Sequence, residues 1–249
     1  MFTFWKKKPK EQRKLFYSTD VHCHLLPGVD HGAQSLDDAL SLLEMQQRMG
    51  ISRVVLTPHV TAHRFENTPH TIAPAFEILK NAVAENGLNI ELRYSAEYRL
   101  DEFTMQTIKD NALLPLPGNY LLLENSFVQE YIGIDQLLFD LQLAGHKIML
   151  AHPERYNYYV AQNRKRYDDL HNAGAKFQIN LLSLAGYFGN TSRETALWLI
   201  EHNLVDFVGS DMHDDDHARA IMEYINSKEW QKLEQILAPR IWNDTKIIF

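Results

Sequence analysis

Apolar and polar residues fall in blocks along the whole chain, and the blocks switch between two periods. "LFYSTDVH" from Leu15 reads as a short strand. "SLDDALSLLEMQQRMG" then places Leu36, Leu40, Leu43 and Met49 near helical spacing, with Ser35 as N-cap and Gly50 as the stop. "ISRVVLT" is a second strand, and "TPHTIAPAFEILKNAVAENG" a second helix with Thr68 as cap, Pro69 in its first turn and Gly87 at its end. The alternation continues with strands in "LNIELRYSAE", "YLLLEN", "KIMLAH", "AKFQINLL" and "VDFVGSD". Helical patterns fall in "GIDQLLFDLQLAG", "RKRYDDLHNAG", "SRETALWLIEHN", "DDHARAIMEYIN" and "EWQKLEQILA". Short apolar strands separated by helices predict parallel strands covered by helices, an α/β fold. Seven repeats in one chain favour a closed or nearly closed barrel, whose chemistry sits at the carboxyl ends of the strands.

Those ends carry polar residues of one kind. The first strand ends in His22 and His24, which share a face because alternate strand residues do, while Cys23 points the other way into the core. The second ends in His59, the third in Glu97, the fourth in Glu124, the fifth in His152 with Arg155 just beyond, and the seventh in Asp211 and His213. Only the sixth lacks an obvious ligand; its Gln178 and Asn180 are neutral. Each residue alone reads as a satisfied polar group or a helix cap. Together, carboxylates packed this closely would repel one another and be costly to desolvate. Divalent cations remove both difficulties, and so many ligands exceed the roughly four that one tetrahedral ion takes. Two or three ions fit the count, with zinc, manganese and iron all suited to mixed imidazole and carboxylate ligation. In "GVDHG", either Asp30 or His31 is placed to join them, or Asp30 to bond its own turn.

Composition narrows the classes. The chain has 249 residues, a net charge of −7 and a single cysteine. An internal disulfide framework is thereby excluded, and a reducing compartment fits. The acidic balance argues against a nucleic-acid partner. No apolar run approaches the roughly 20 residues of a membrane span, and the start lacks a secretory signal, so the expected location is cytoplasmic with no integral membrane segment. Residues 1–14 read as a basic, flexible segment; its Lys6, Lys7, Lys8, Lys10, Arg13 and Lys14 follow Phe2, Phe4 and Trp5, a composition that also suits peripheral contact with an anionic membrane. Residues 15–249 read as one domain.

The order of motifs resembles the PHP (polymerase and histidinol phosphatase) superfamily. Within it, "LPGVDHGAQSLDDAL", "LTPH", "SAEYRL", "AHPERY" and "GSDMH" are similar to the bacterial metal-dependent protein-tyrosine phosphatases of capsule and exopolysaccharide gene clusters, over roughly Asp20 to His213. The resemblance implies a distorted (β/α)7 barrel with a trinuclear, often manganese-loaded site, and hydrolysis of phosphotyrosine on the tail of a tyrosine autokinase. It implies His22, His24, His59, Glu97, Glu124, His152, Asp211 and His213 as metal ligands and Arg155 as the phosphate-binding arginine. Two positions depart from the pattern. The family has two aspartates where this chain reads Asp30-His31, so His31 is read as a substituted ligand with Asp30 as the alternative. The family's second arginine falls where this chain has Ala218, and Arg219 is the neighbouring substitute. Two other readings remain in view: a small-molecule phosphoesterase of the histidinol-phosphatase kind, and an inactive metal-bound module that binds a kinase. The oligomeric state, a homo-oligomer included, is left open.

Overall fold

The computed structural model describes residues 12–161 and 164–249. Nine strand segments follow in order: β1 Thr19–Asp20, β2 Arg53–Leu56, β3 His59–Val60, β4 Glu91–Tyr94, β5 Glu97–Arg99, β6 Tyr120–Glu124, β7 Lys147–Ala151, β8 Lys176–Asn180 and β9 Phe207–Gly209. All pair in parallel, as β1-β2-β4 and as β3-β5-β6-β7-β8-β9. The two sheets are two halves of the same runs, because β3 continues β2 after two residues and β5 continues β4. Bonds from Ser95 N to Leu56 O and from Glu97 N to Pro58 O carry the pairing across the break. Seven runs therefore stand side by side, as the hydrophobic pattern predicts.

The seam between first and last runs is bridged rather than open. Asp211 N donates to His22 O and His24 N to Met212 O. At the other end Asn243 donates to Thr19 O and Val208 O and accepts from Val208 N. Hydrogen bonds thus link every neighbouring pair around the distorted ring. Alternation divides the core in two: Leu121, Leu123, Ile148 and Leu150 join the large cluster beneath the helices. Their neighbours Leu122, Met149 and Ala151 join a smaller cluster with Val21, Val55 and Phe207, against which Trp242 and Phe249 pack.

Caps account for the helix boundaries. Ser35 accepts from Asp38 N in a capping box that starts the helix Leu36–Arg48, and Pro69 opens Pro69–Glu85 behind Thr68. Leu181 and Leu182, expected to prolong the sixth strand, instead begin the short helix Leu181–Leu184. A further helix, Glu102–Lys109, has a weak apolar face and is fixed by Asp101, which accepts from Phe103 N and Thr104 N. Most of the basic N-terminal segment lies outside the described residues; Arg13 pairs with Glu234 and donates its backbone N–H to Asn226. No described helix is long and apolar enough to cross a membrane.

Candidate metal centre

The carboxyl ends of the strands converge on one mouth. His22, His24, Glu97, Glu124, His152 and Asp211 are buried there, and His59 and His213 are half-buried at its edge. Glu97 lies among four imidazoles. Its Oε1 is 3.0 Å from His152 Nε2 and 3.4 Å from His22 Nε2; its Oε2 is 2.8 Å from His59 Nδ1 and 3.5 Å from His24 Nε2. Asp211 Oδ1 lies 3.6 Å from His22 Nε2 and 3.4 Å from His24 Nε2, and Glu124 Oε1 3.6 Å from His152 Nε2. Four overlapping groups have ligand atoms close enough to share an ion, and together they use all eight of these residues.

The ring nitrogens show that the set fits a metal. Gln178 Oε1 is 2.7 Å from His22 Nδ1, and the Gln178 amide is turned that way because its Nε2 donates to Ile179 O and Asn180 Oδ1. Asp30 Oδ2 is 2.8 Å from His24 Nδ1, and Asp211 O is 2.9 Å from His213 Nδ1. Each acceptor keeps the proton on Nδ1, so each neutral ring presents a bare Nε2, the usual orientation of a ligating histidine. His22 and His24 then aim two lone pairs at each other across 3.1 Å, and His213 Nε2 is buried without a hydrogen-bond partner among the described residues. A shared cation relieves both. The neutral sixth strand, which offered no ligand, orients the others: Asn180 Nδ2 also donates to Asp211 Oδ2 at 2.6 Å.

Local backbone is shaped for this convergence. His152 (φ 34°) and Asp211 (φ 50°) adopt the left-handed region, sparsely populated by residues other than glycine. Gly209 is a steric requirement, since a Cβ there would lie 2.7 Å from Gln178 Nε2 and 2.8 Å from His22 Cβ. Gly32 is another: its Cβ would meet His24 O at 1.9 Å where the loop folds back over the strand end.

Without a cation the groups protonate one another. Burial disfavours the His22 imidazolium, but the Glu97 and Asp211 carboxylates outweigh it and raise the ring to about 9. His24 is raised in the same way against burial by Asp30 and Asp211. Burial would raise Glu97 and Asp211, yet the neighbouring imidazoles hold both well below the usual carboxylate range. His31, exposed in itself but crowded by the neighbouring rings, is lowered to about 4 by partial desolvation and by the charges of His59 and His24.

Asp30 and His31 occupy different places. Asp30 Oδ2 also accepts from His59 N, and Oδ1 from Gly32 N, so its carboxylate is held as an orienting group. His31 is exposed on the rim, its ring stacked 4.8 Å from that of His59 and tilted against that of His213 at 4.6 Å, and belongs to none of the four groups.

A cavity of about 480 Å³ opens over the cluster. Arg155 lines it, with Nη1 3.1 Å from Asp211 Oδ2 and its guanidinium between two rings, 3.9 Å from the Phe188 centroid and 4.6 Å from that of Phe127. The 3-10 turn carrying it is pinned by buried Glu154, whose Oε1 accepts from Asn180 N. Arg219 stands away from the cavity, exposed and paired with Asp215 and Asp216. Besides Arg64, a further guanidinium lines the cavity: that of Arg99, 2.9 Å from Glu124 Oε2. The sequence reading passed over it, although it lies two residues after Glu97 and so on the same strand face.

The profile of a family described as capsular polysaccharide synthesis, CpsB/CapC, matches residues 18–245. The chain is 33% identical over 195 residues to tyrosine-protein phosphatase YwqE of Bacillus subtilis, covering 78% of this chain and 76% of that protein. It is 33% identical over 195 residues to the putative tyrosine-protein phosphatase CapC of Staphylococcus aureus, with the same 78% and 76% coverage. Among solved structures it is similar to a chain from the work on YwqE of Bacillus subtilis and CpsB of Streptococcus pneumoniae, described as metal-dependent tyrosine phosphatases. There the TM-score is 0.76 at 29% identity, over 89% of this chain and 91% of that one.

Proposed function

The chain belongs to the CpsB/CapC family of capsular polysaccharide synthesis proteins, and from that premise we propose that it is a metal-dependent phosphatase acting on phosphotyrosine in proteins. The observation that carries the reading is one cavity lined by His59, Glu124, His152, Asp211 and His213 of the eight-residue cluster together with Arg155, which is held between two phenyl rings. His22, His24, His59, Glu97, Glu124, His152, Asp211 and His213 would hold two or three divalent ions, manganese foremost, with iron or zinc as alternatives. His31 would join them only from the rim, since it belongs to none of the four groups. Such cations supply Lewis acidity, lowering the pKa of a water and neutralising charge on the phosphoryl group.

The chain's own groups do the rest. Arg155 offers a planar fork matched to two phosphoryl oxygens, and its seat between Phe127 and Phe188 keeps that fork aimed before substrate arrives. Arg99 adds a second positive charge where negative charge grows during phosphoryl transfer. Phe65 and Phe127 line the cavity with apolar surface suited to an aryl ring. Phenolate, with a conjugate acid near pKa 10, leaves more readily than an alkoxide. No thiol takes part: Cys23 is fully buried in the core. The substrate in this reading is the phosphorylated tail of a tyrosine autokinase serving capsular polysaccharide synthesis.

Phosphate release from a phosphotyrosine peptide tests the proposal. Expected are release with added manganese, its loss on chelation, recovery on re-addition, and retention of activity in Cys23→Ser. No release with any divalent metal overturns it and leaves a binding module in its place.

A further inference from the structure

Among the described residues nine large hydrophobic side chains are exposed, and five of them, Phe127, Val128, Ile132, Phe139 and Leu143, lie between residues 127 and 143. Scattered exposed hydrophobics are ordinary, but a concentration beside a cavity marks a contact surface. The loop after β6 is fixed from beneath. Asn125 N donates to Tyr156 Oη, Asn125 Nδ2 to Tyr159 Oη, and Tyr158 Oη donates to Ser126 O. Tyr131 N donates to Asn125 Oδ1 at 3.0 Å, closing the loop and returning Ile132 to the vicinity of the β6 end that carries Glu124. Glu130 is paired with Tyr159 Oη and Arg166 Nε, each at 2.7 Å. With its one carboxylate engaged, the loop holds Val128 (84% exposed) and Ile132 (87%) out in water. Phe127, the residue before Val128, lines the cavity beside Arg99 and Arg155. One short loop therefore runs from the phosphate-binding groups to an apolar rim.

Resting on the phosphatase reading, we propose that this rim, Val128 and Ile132 foremost, docks the protein that carries the phosphotyrosine and receives apolar or aromatic side chains flanking it. Continuity selects this occupant. A phosphotyrosine seated in the cavity places its extended neighbours about 3.3 Å apart per residue, and the adjoining surface they cross begins at Val128. Phe139 and Leu143, four residues apart on one face of the following helix Ile134–Leu143, are exposed as well.

The test compares three substrates with the full manganese-loaded chain and its Val128→Ser/Ile132→Ser variant. Both positions are exposed and outside the proposed catalytic set. Wild type is expected to prefer a phosphotyrosine peptide with leucine or phenylalanine flanks over one with glycine and serine flanks. The variant is expected to lose that preference through a KM about tenfold higher or more, while hydrolysing p-nitrophenyl phosphate like wild type. Absence of the preference in wild type overturns the proposal, as does an equal loss on all three substrates. A variant that changes only the sedimenting mass overturns it in favour of contact between copies of this chain. If wild type hydrolyses none of the three with any divalent metal, the phosphatase reading falls and this proposal with it; activity with no effect of the variant sinks the docking surface alone.

Discussion

Both ends of the strands hold a histidine–carboxylate arrangement built on a buried carboxylate, and the two differ in one respect. At the amino ends Asp206, just before β9, accepts from His171 Nε2 at 2.9 Å and from Phe177 N at 2.9 Å, with Lys176 Nζ 3.8 Å away. Its oxygens face donors only, and nothing there calls for a ligand. At the carboxyl ends the Nδ1–H groups of His22, His24 and His213 are engaged with Gln178, Asp30 and Asp211 O, and the Nε2 atoms of His22 and His24 turn toward each other and toward Glu97 and Asp211. The same residue types make a structural clamp at one end and a proposed metal centre at the other. Ring nitrogens and carboxylate oxygens converging on one common point, which either protons or a cation must fill, distinguish them.

Isosteric acid-to-amide exchanges at the two ends test that distinction most strongly. Glu97→Gln removes the carboxylate shared by four imidazoles; bound metal and metal-supported phosphate release are expected to fall about a hundredfold or more, beyond the range for orienting partners. Asp206→Asn is expected to leave metal content and turnover near wild type while lowering stability by about 1 kcal/mol, because the bonds from His171 and Phe177 lose their charged acceptor and Lys176 faces an amide. Elemental analysis and urea unfolding read the two effects separately. Equal losses of metal in both variants would erase the contrast.

A smaller effect comes from steric support alone. In Gly209→Ala the new Cβ meets the Gln178 amide and His22 Cβ within 3 Å, so the Gln178–His22 bond must break or the ring must shift. Metal affinity is expected to fall about 10–100-fold, as when an orienting partner is lost, with the fold retained. Titration with manganese followed by paramagnetic resonance measures it, and unchanged affinity would show that the orienting bond is dispensable.

The proposed ligand cluster is readable in the sequence because short strands end at predictable places, and the same rule brings His22, His59, Glu97, Glu124 and Asp211 to one mouth. Groups that orient those residues are far less readable. Gln178 and Asn180 look like ordinary polar strand residues until the fold brings them beside His22 and Asp211. Asp30 lies six residues from the ring it holds, at a distance that only the turn at Gly32 defines. Arg99 was open to the alternation rule, but attention to strand-end residues left it out. Arg219, adjacent in sequence to the expected arginine position, faces solvent because one step along a helix rotates a side chain by about 100°. Leu181 and Leu182 prolong an apolar run, and a run alone does not separate strand from buried helix.

The smallest expected effect is a pH dependence confined to the carboxyl end. In the unfolded chain His22 releases its proton near 6.5, whereas in the metal-free fold it holds it to about 9, because Glu97 and Asp211 overcome the cost of burial. His24 shifts in the same direction. The stabilisation from these imidazolium–carboxylate contacts is complete below 6.5 and is lost as pH rises through 9. His31, lowered to about 4, acts only on the acid side, destabilising the fold as pH drops below 6.5. A bound cation displaces the His22 and His24 protons, so its affinity rises over the same interval in which metal-free stability declines. The Tm difference between manganese-loaded and metal-free protein should therefore widen from pH 6.5 to 9. The pair at Asp206, remote from the cation, contributes nothing to that difference, so Asp206→Asn should shift both Tm values together. Calorimetry at constant ionic strength decides the matter, and a Tm difference independent of pH would mean that protons and cation do not compete for the same nitrogens.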